Sequence, residues 1–171
     1  SISEYGGKIK RVFLEPGSVR ALPDAIQAIE CADAIVLGPG SLYTSVIPNL
    51  LTQDIQDAIT RSNAIKMYVC NIMTQPGETD GYSVSDHVNA IARHTSRNII
   101  EYVLINTQRI PTRLLTRYRQ EKAFPVTLDA EKVKAAGYTP VTGYFLTDSE
   151  VVRHDSAKTA RAVIDIINKQ R

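Results

Sequence analysis

The stretch from Asp33 to Leu51, DAIVLGPGSLYTSVIPNLL, decides the fold that this sequence predicts. Its apolar run at 34–37 has the length of a buried strand, and the Gly-Pro-Gly-Ser turn that follows ends it. Hydroxyl residues and then a helix-like stretch come next. A strand, a glycine-bracketed loop and a helix in succession are what α/β proteins use to place backbone N–H groups against an anion.

A second segment repeats this layout. Met67 to Ser85, MYVCNIMTQPGETDGYSVS, is typical of a strand followed by a long polar loop. Because neighbouring parallel strands end at the same edge of a sheet, the two loops are expected to open onto one crevice. Open α/β sheets bind their ligands at that edge.

The rest of the chain alternates between strand and helix patterns. Strands are predicted at 9–14, 34–37, 66–70, 99–105, 125–128 and 141–146, and helices at 23–31, from Pro48 onward, and at 85–94, 111–121, 130–136 and 156–169. Ser85 and Asp155 are the predicted N-caps of two of these helices. The alternation predicts one α/β domain over residues 1–171, a Rossmann-like three-layer fold with a mainly parallel sheet.

The composition is typical of a soluble globular protein, with 43% hydrophobic and 22% charged residues. A net charge of +2 gives no argument for nucleic acid or for an anionic membrane surface as a partner. No apolar run reaches the roughly 18 residues of a membrane span. Cys31 and Cys70 lack the spacing of a metal site or a disulfide framework, which favours two buried, reduced thiols in a cytoplasmic protein.

The first loop is a candidate phosphate site. Gly38 and Gly40 permit a positive φ or the close approach of a ligand. Ser41, Tyr43 and Thr44 place hydroxyl groups beside exposed N–H groups. The loop is neither a Walker A motif nor GxGxxG. A tight strand-to-helix connection without a ligand explains the same residues about equally well.

The second loop carries six polar side chains that could contact a ligand: Asn71, Thr74, Gln75, Glu78, Thr79 and Asp80. Long polar loops at strand ends are more often functional than not. Glu78 and Asp80 could bind a metal or act as a base, but two carboxylates in a turn are usually only solvated. His87 is more often a packed histidine than a catalyst, and neither a metal-ligand cluster nor a catalytic triad is predicted.

Two residues nearer the C-terminus have the chemistry to bind a nucleotide. Arg153 directly precedes the last predicted helix, from where a guanidinium can clamp a phosphate. Tyr118 could offer its ring for stacking on a base or sugar, and a core-facing aromatic is an equally good interpretation.

Four motifs are long enough to be specific: ADAIVLGPGSLYTSVIPNLL, YVCNIMTQPGETDGYSVSDHVNAI, YRQEKAFPV and VVRHDSAKTA. Together they resemble the YvcK/CofD-like family, and in particular its YvcK branch, the gluconeogenesis factors. The resemblance extends from Ile9 to about Ile164. Family members of this type are roughly twice as long and carry a GGGTG nucleotide-binding turn in their N-terminal half, which is absent from this sequence. The resemblance therefore implies the C-terminal half, or a processed form, of such a protein.

The resemblance implies a cytoplasmic protein that binds a nucleotide sugar such as UDP-N-acetylglucosamine and regulates cell shape, envelope synthesis and growth on gluconeogenic carbon sources. It implies that both loops line the cleft, that Tyr118 and Arg153 contact the nucleotide sugar, and that Ser156 is a regulatory phosphorylation position. No cofactor is firmly implied apart from this UDP-sugar or another nucleotide ligand. The implied partners are a second copy of the chain and a kinase or envelope-synthesis protein.

Two function classes stay open. One is a non-enzymatic regulator that senses a nucleotide sugar. The other is a transferase like the CofD branch, which moves 2-phospho-L-lactate from a nucleotide-activated donor onto a deazaflavin precursor. That branch is expected to carry a loop closer to Ser-Asn-Pro where this chain has GPGSLYTS, and the difference favours the regulator. A bare α/β interaction domain is the third interpretation.

Overall fold

The structure is a computed structural model that describes residues 7–17, 19–95 and 99–170. Its sheet has four strands in chain order, all parallel: β1 (Ala34–Leu37), β2 (Ile65–Val69), β3 (Tyr102–Asn106) and β4 (Thr139–Gly143). Ala34 lies opposite Ile65 on the neighbouring strand, and Tyr102 lies opposite Thr139. The predicted α/β fold with a mainly parallel sheet is confirmed.

Helices connect the strands. The α-helices of the described ranges are α1 (Pro23–Glu30), α2 (Gln53–Arg61), α3 (Val84–His94), α4 (Thr112–Gln120), α5 (Ala130–Ala135) and α6 (Ser156–Gln170), with a π-helix at Leu42–Val46 and a 3-10 helix at Ile47–Leu50. Within these ranges, no helix combines the length and the apolar character that crossing a membrane requires.

The two central strands, β2 and β3, are buried on both faces, which explains their nearly continuous apolar sequences. Side chains such as Tyr68 and Val103 face a core shared with α2, α3 and α5. Met67, Val69 and Leu104 point to the opposite face, where they pack against α6. A smaller apolar cluster lies beneath α4: Ile72, Ile110, Leu114 and Leu146. It holds α4 near the carboxyl ends of the strands.

The helix termini confirm one predicted N-cap and correct the other. Asp155 caps α6, since its carboxylate accepts a hydrogen bond from the Lys158 N–H at 3.0 Å. The N-cap of α3 is Ser83, which forms a reciprocal capping box with Asp86. The predicted cap, Ser85, instead donates its hydroxyl to the Asp129 carboxylate at 2.6 Å.

Two predicted strands and one predicted helix start are wrong. Residues 9–14 pair with no strand within the described ranges, and Val12 instead donates its N–H to Nε2 of His94 at 3.1 Å. Residues 125–128 form only isolated bridges, because Pro125 has no N–H to contribute to a ladder. Pro48 opens no α-helix: it lies in the 3-10 helix, and α2 begins only at Gln53.

β4 and Cys31 also depart from the predictions. β4 ends at Gly143, before the predicted limit, because Phe145 and Leu146 leave the sheet to pack into two apolar clusters. Cys31 is exposed, since it forms the C-cap of a helix that buries none of its own residues. Cys70 is buried as predicted.

Candidate functional site

The Gly-Pro-Gly turn begins directly after β1, at the carboxyl edge of the sheet. Gly38 has a φ of +85°, and a Cβ there would lie 3.1 Å from the backbone oxygen of Val69 on the neighbouring strand. A Cβ on Gly40 would lie 3.2 Å from Cβ of Ser45. The glycines therefore let the turn fold tightly against β2 and against the helix that follows. A cavity of about 300 Å³ lies beside the turn.

The hydroxyl residues after this turn differ in what they can reach. Thr44 is exposed and Ser41 is partly exposed. Tyr43 is only 2% exposed, and its hydroxyl shares a 2.8 Å hydrogen bond with that of Tyr82. Burial, with this hydrogen bond as a second cause, raises the pKa of Tyr43. Tyr43 therefore ties the first loop to the second loop rather than facing a ligand.

Asn71 connects the two loops a second time. It follows β2 directly, and its Nδ2 donates to the Gly40 backbone oxygen at 3.0 Å. Its Oδ1 accepts from the Tyr68 hydroxyl at 3.3 Å. The expectation that the two loops meet at one edge is therefore fulfilled, although both polar ends of Asn71 are already used, Nδ2 in joining the loops and Oδ1 in binding Tyr68 on β2.

Thr74, Thr79 and Asp80 also serve the loop's own structure. The Thr74 hydroxyl accepts from the Phe124 N–H at 3.0 Å, and the Thr79 hydroxyl accepts from the Gln75 N–H at 2.8 Å. The Asp80 carboxylate accepts from the Gly77 N–H at 2.6 Å. The Thr79 and Asp80 contacts satisfy backbone donors of the irregular loop itself, and the Thr74 contact ties the loop to the segment at Phe124.

Two side chains of this loop remain unsatisfied. Oε1 of Gln75 and Oε2 of Glu78 are buried, and neither has a hydrogen-bond partner in the part of the chain that the structure describes. Burial raises the pKa of Glu78. An unpaired buried acceptor costs about 1–3 kcal/mol, so these oxygens are the loop's best candidates for contact with a ligand that brings hydrogen-bond donors.

Tyr118 and Arg153 come from distant parts of the sequence and lie next to each other. The Tyr118 hydroxyl on α4 accepts from the N–H of Val152, the residue before Arg153, at 3.1 Å. The Tyr118 ring packs on the cluster that contains Ile72, at the start of the second loop. Arg153 is exposed. The backbone just before Arg153 is therefore anchored to α4, which packs near the start of the second loop.

The sequence reasoning missed a cavity of about 260 Å³ at the carboxyl ends of β2 and β3. Its lining includes Asn71 together with Asn106, Thr107 and Arg109. Asn106 braces this edge: its Oδ1 accepts from the Phe145 N–H at 2.9 Å, and its Nδ2 donates to the Gln108 oxygen at 3.1 Å. The sequence contained a pattern that could have indicated this cavity, because Asn106 comes at the end of an apolar strand much as Asn71 does.

His154 was also missed, and His87 has the packed position expected of it. Burial lowers the pKa of His154, opposed by a hydrogen bond to the Cys70 backbone, and its Nε2 has no partner within the described ranges. His87 is fully buried, with Nδ1 2.8 Å from the Ser83 oxygen. Across residues 7–17, 19–95 and 99–170, no three or more His, Cys, Asp or Glu side chains are grouped to hold a metal ion.

Residues 1–146 match the family described as 2-phospho-L-lactate transferase CofD. The chain belongs to the CofD family. It is 46% identical over 166 residues to the gluconeogenesis factor of Halalkalibacterium halodurans, covering 96% of this chain and 52% of that protein. It is 42% identical over 170 residues to the gluconeogenesis factor of Bacillus subtilis, covering 99% of this chain and 54% of that one. The predicted YvcK-type membership in the CofD family is confirmed.

A solved structure supports the same assignment. The crystal structure of a UPF0052 family member from Bacillus halodurans superposes with a TM-score of 0.93 at 46% identity, covering 95% of this CofD-family chain and 53% of that chain. The chain thus spans about half the length of the relatives it matches.

Proposed function

We propose that this chain supplies part of a nucleotide-sugar site in a regulatory protein of the gluconeogenesis-factor type. The observation that carries the proposal is the pair of buried, unpartnered oxygens on Gln75 and Glu78. Sugar hydroxyls and the N–H of a uracil ring are donors that would satisfy them. A UDP-sugar presents both kinds of donor.

The surroundings supply the charge that such a ligand needs. A diphosphate carries negative charge, and Arg153 is an exposed cation that directly follows Val152, whose N–H donates to the Tyr118 hydroxyl. Gly38 lets the first loop lie close to β2, and Asn71 joins the second loop to the Gly40 oxygen, so the backbone of both loops borders one edge. We therefore assign the sugar to the second loop and the diphosphate to Arg153, with Tyr118 positioning the segment that carries this arginine.

The names of the relatives support the biological role that we propose. Proteins named gluconeogenesis factor match the chain over nearly its whole length. We infer a cytoplasmic regulator that links nucleotide-sugar supply to gluconeogenic growth, cell shape and envelope synthesis. Ser156 is exposed at the first turn of α6, so a kinase could reach it. A phosphate there would lie at a helix N-terminus, where negative charge is favourable.

Binding of UDP-N-acetylglucosamine tests the proposal. Calorimetry is carried out on the 171-residue chain and on a chimera in which it replaces the aligned 166 residues of the Halalkalibacterium halodurans relative. Loss of a charge-assisted contact in Arg153→Ala is expected to weaken binding by about tenfold or more. Arg161→Ala removes an exposed arginine from α6 and serves as the matched control. If neither protein binds the UDP-sugar, the proposal is wrong.

A transferase is the second candidate, because the matching family is described as 2-phospho-L-lactate transferase. The 171-residue chain and the chimera are incubated with a nucleotide-activated 2-phospho-L-lactate donor and the deazaflavin acceptor, and the product is measured by mass spectrometry. The regulator hypothesis predicts UDP-sugar binding without product. Turnover that depends on Glu78 or Arg153 would establish the enzyme instead.

A further inference from the structure

The cavity at the carboxyl ends of β2 and β3, called the β2–β3 cavity below, is not used by the proposed nucleotide-sugar site. Its volume is about 260 Å³. Much of its lining is apolar and buried, including Ile72, Ile105 and Val126, and Cys70 is buried beside them. Leu128, which also lines it, is 52% exposed, so the cavity opens to solvent. A small molecule with an apolar part can therefore enter and displace water from these walls.

Most polar side chains of this lining are already engaged within the protein. Both polar ends of Asn71 and both polar ends of Asn106 form hydrogen bonds. The Thr107 hydroxyl donates to the backbone of β4 at 3.3 Å. Oε1 of Gln108 accepts from the Leu146 N–H at 3.2 Å. These groups therefore fix the walls of the β2–β3 cavity.

The nitrogen groups that remain in the lining are donors. The Arg109 guanidinium and Nε2 of Gln108 form no hydrogen bond or ion pair within the described ranges. Arg109 is exposed, and it is the one charged residue among the described residues of the lining. Burial raises the pKa of the Cys70 thiol to about 12, so this group adds no negative charge at neutral pH. The cavity therefore has side-chain capacity for a negatively charged acceptor.

The carboxylate of Asp129 follows the lining residue Leu128 in the chain but is engaged elsewhere. Its Oδ1 accepts from the Ser85 N–H at 2.9 Å, and its Oδ2 accepts from the Ser85 hydroxyl at 2.6 Å. It forms no ion pair with Arg109. An acid supplied by a ligand would therefore meet a cation that this neighbouring carboxylate does not neutralise.

We propose that the β2–β3 cavity binds a small organic acid, a molecule with one carboxylate on a compact apolar body. The carboxylate pairs with Arg109 and accepts a hydrogen bond from Nε2 of Gln108. The apolar body contacts Ile72, Ile105 and Val126. Pockets for drug-sized ligands have volumes of about 300–1,000 Å³, so a cavity of about 260 Å³ limits this body to a few carbon atoms.

The cavity shares walls with both contacts that assemble the candidate nucleotide-sugar site. Asn71 joins the two loops through the Gly40 oxygen at 3.0 Å. Ile72 and Leu115 belong to the apolar cluster against which Tyr118 packs. A bound acid would lie beside the nucleotide-sugar site without filling it, and it would contact residues that position both loops and α4. This regulatory consequence rests on the proposed function, whereas binding of the acid does not.

Titration with isovalerate, followed by NMR of methyl groups and backbone amides, tests the proposal. It is carried out on the 171-residue chain and on the chimera described above. We expect saturable shifts of the Ile72, Ile105 and Val126 methyl groups with millimolar affinity. Isovaleramide has the same apolar body without the charge and should bind at least about tenfold more weakly. If isovalerate causes no saturable shifts in either protein, the proposal is overturned.

A pair of variants tests the role of Arg109. Arg109→Gln should leave the melting temperature nearly unchanged, because this exposed side chain has no described partner, and it should weaken isovalerate binding about tenfold. Arg119→Gln removes an exposed arginine from α4 and is the matched control, which should change neither quantity. Equal isovalerate affinities of Arg109→Gln and the wild type would contradict the proposal.

Two other occupants give different results in the same titration. Inorganic phosphate that binds as tightly as isovalerate would indicate a bare anion site and refute the apolar contact. Competitive displacement of isovalerate by UDP-N-acetylglucosamine would assign the cavity to the nucleotide sugar and refute a separate acid site. A UDP-sugar that binds without displacing isovalerate supports the proposal. Isovalerate binding in proteins that bind no UDP-sugar also supports it, so failure of the proposed function is distinguishable from failure of this inference.

Discussion

Replacing Gly38 with alanine tests whether the turn after β1 is held by its packing on β2. Gly38 adopts a φ of +85°, and an added Cβ would lie 3.1 Å from the Val69 backbone oxygen. The left-handed conformation costs an L-residue about 1–2 kcal/mol. The contact adds to this cost, because a strand carbonyl cannot move aside as a flexible side chain can.

Gly137 provides a matched control. It has a φ of +94°, and an added Cβ would meet no heavy atom within 4 Å. Gly137→Ala should therefore show the conformational cost alone, which corresponds to a fall in melting temperature of about 2–8 °C for a protein of this size. Gly38→Ala should lower the melting temperature clearly further, because it adds the steric contact with β2 to the same conformational cost.

Urea denaturation and thermal melting of both variants against the wild type measure the difference. Two-state unfolding is first checked by comparing fluorescence and circular dichroism. Equal destabilisation by Gly38→Ala and Gly137→Ala would refute the argument that close approach to β2 constrains this turn. Gly38→Ala should also weaken any UDP-sugar binding, whereas Gly137→Ala should not.

Three further predictions follow from the site. Asn71→Ala should destabilise the fold by about 1–3 kcal/mol in urea denaturation, because the Gly40 oxygen and the Tyr68 hydroxyl both lose their partner. Burial raises the pKa of Glu78 above its ordinary 4.5, so just above pH 4.5 the folded state binds more protons than the unfolded state. The stability of the wild type should therefore fall as the pH rises through this range. Glu78→Gln lacks this loss and should gain stability relative to the wild type from pH 4 to pH 7. Burial lowers the pKa of His154 below 6.5, so wild-type stability should fall as pH drops below that value, and His154→Gln should lack this loss in pH-dependent melting experiments.

The sequence predicted those features that arise from local pattern. The apolar run at 34–37 and its glycine turn are correct because strand length and turn residues are properties of neighbouring residues. The π-helix and 3-10 helix at 42–50 were not predicted. Their apolar residues, such as Leu42 and Ile47, are fully buried, and tertiary packing rather than helix propensity decides their conformation.

Contacts between segments that are distant in the chain could not be predicted from the local sequence patterns. Tyr118 and Val152 are 34 residues apart, and nothing in either local pattern indicates their hydrogen bond. Residues 9–14 have the alternation of a strand, but a strand requires a neighbour, and pairing partners are not encoded locally. The joint placement of Tyr118 and Arg153 in one region became visible only in the folded chain.

A polar residue at the end of a strand can either stabilise the loop or contact a ligand, and its polarity alone does not show which. Asn71 and Thr79 have their side chains committed to backbone groups of the two loops, and Thr74 binds the backbone of Phe124. Gln75 and Glu78, from the same few residues, keep buried oxygens without a described partner. The first group fixes the shape of the loop in which these two oxygens are buried. Substituting a scaffold residue should therefore change both stability and binding, whereas replacing Gln75 or Glu78 should reduce binding without destabilising the fold.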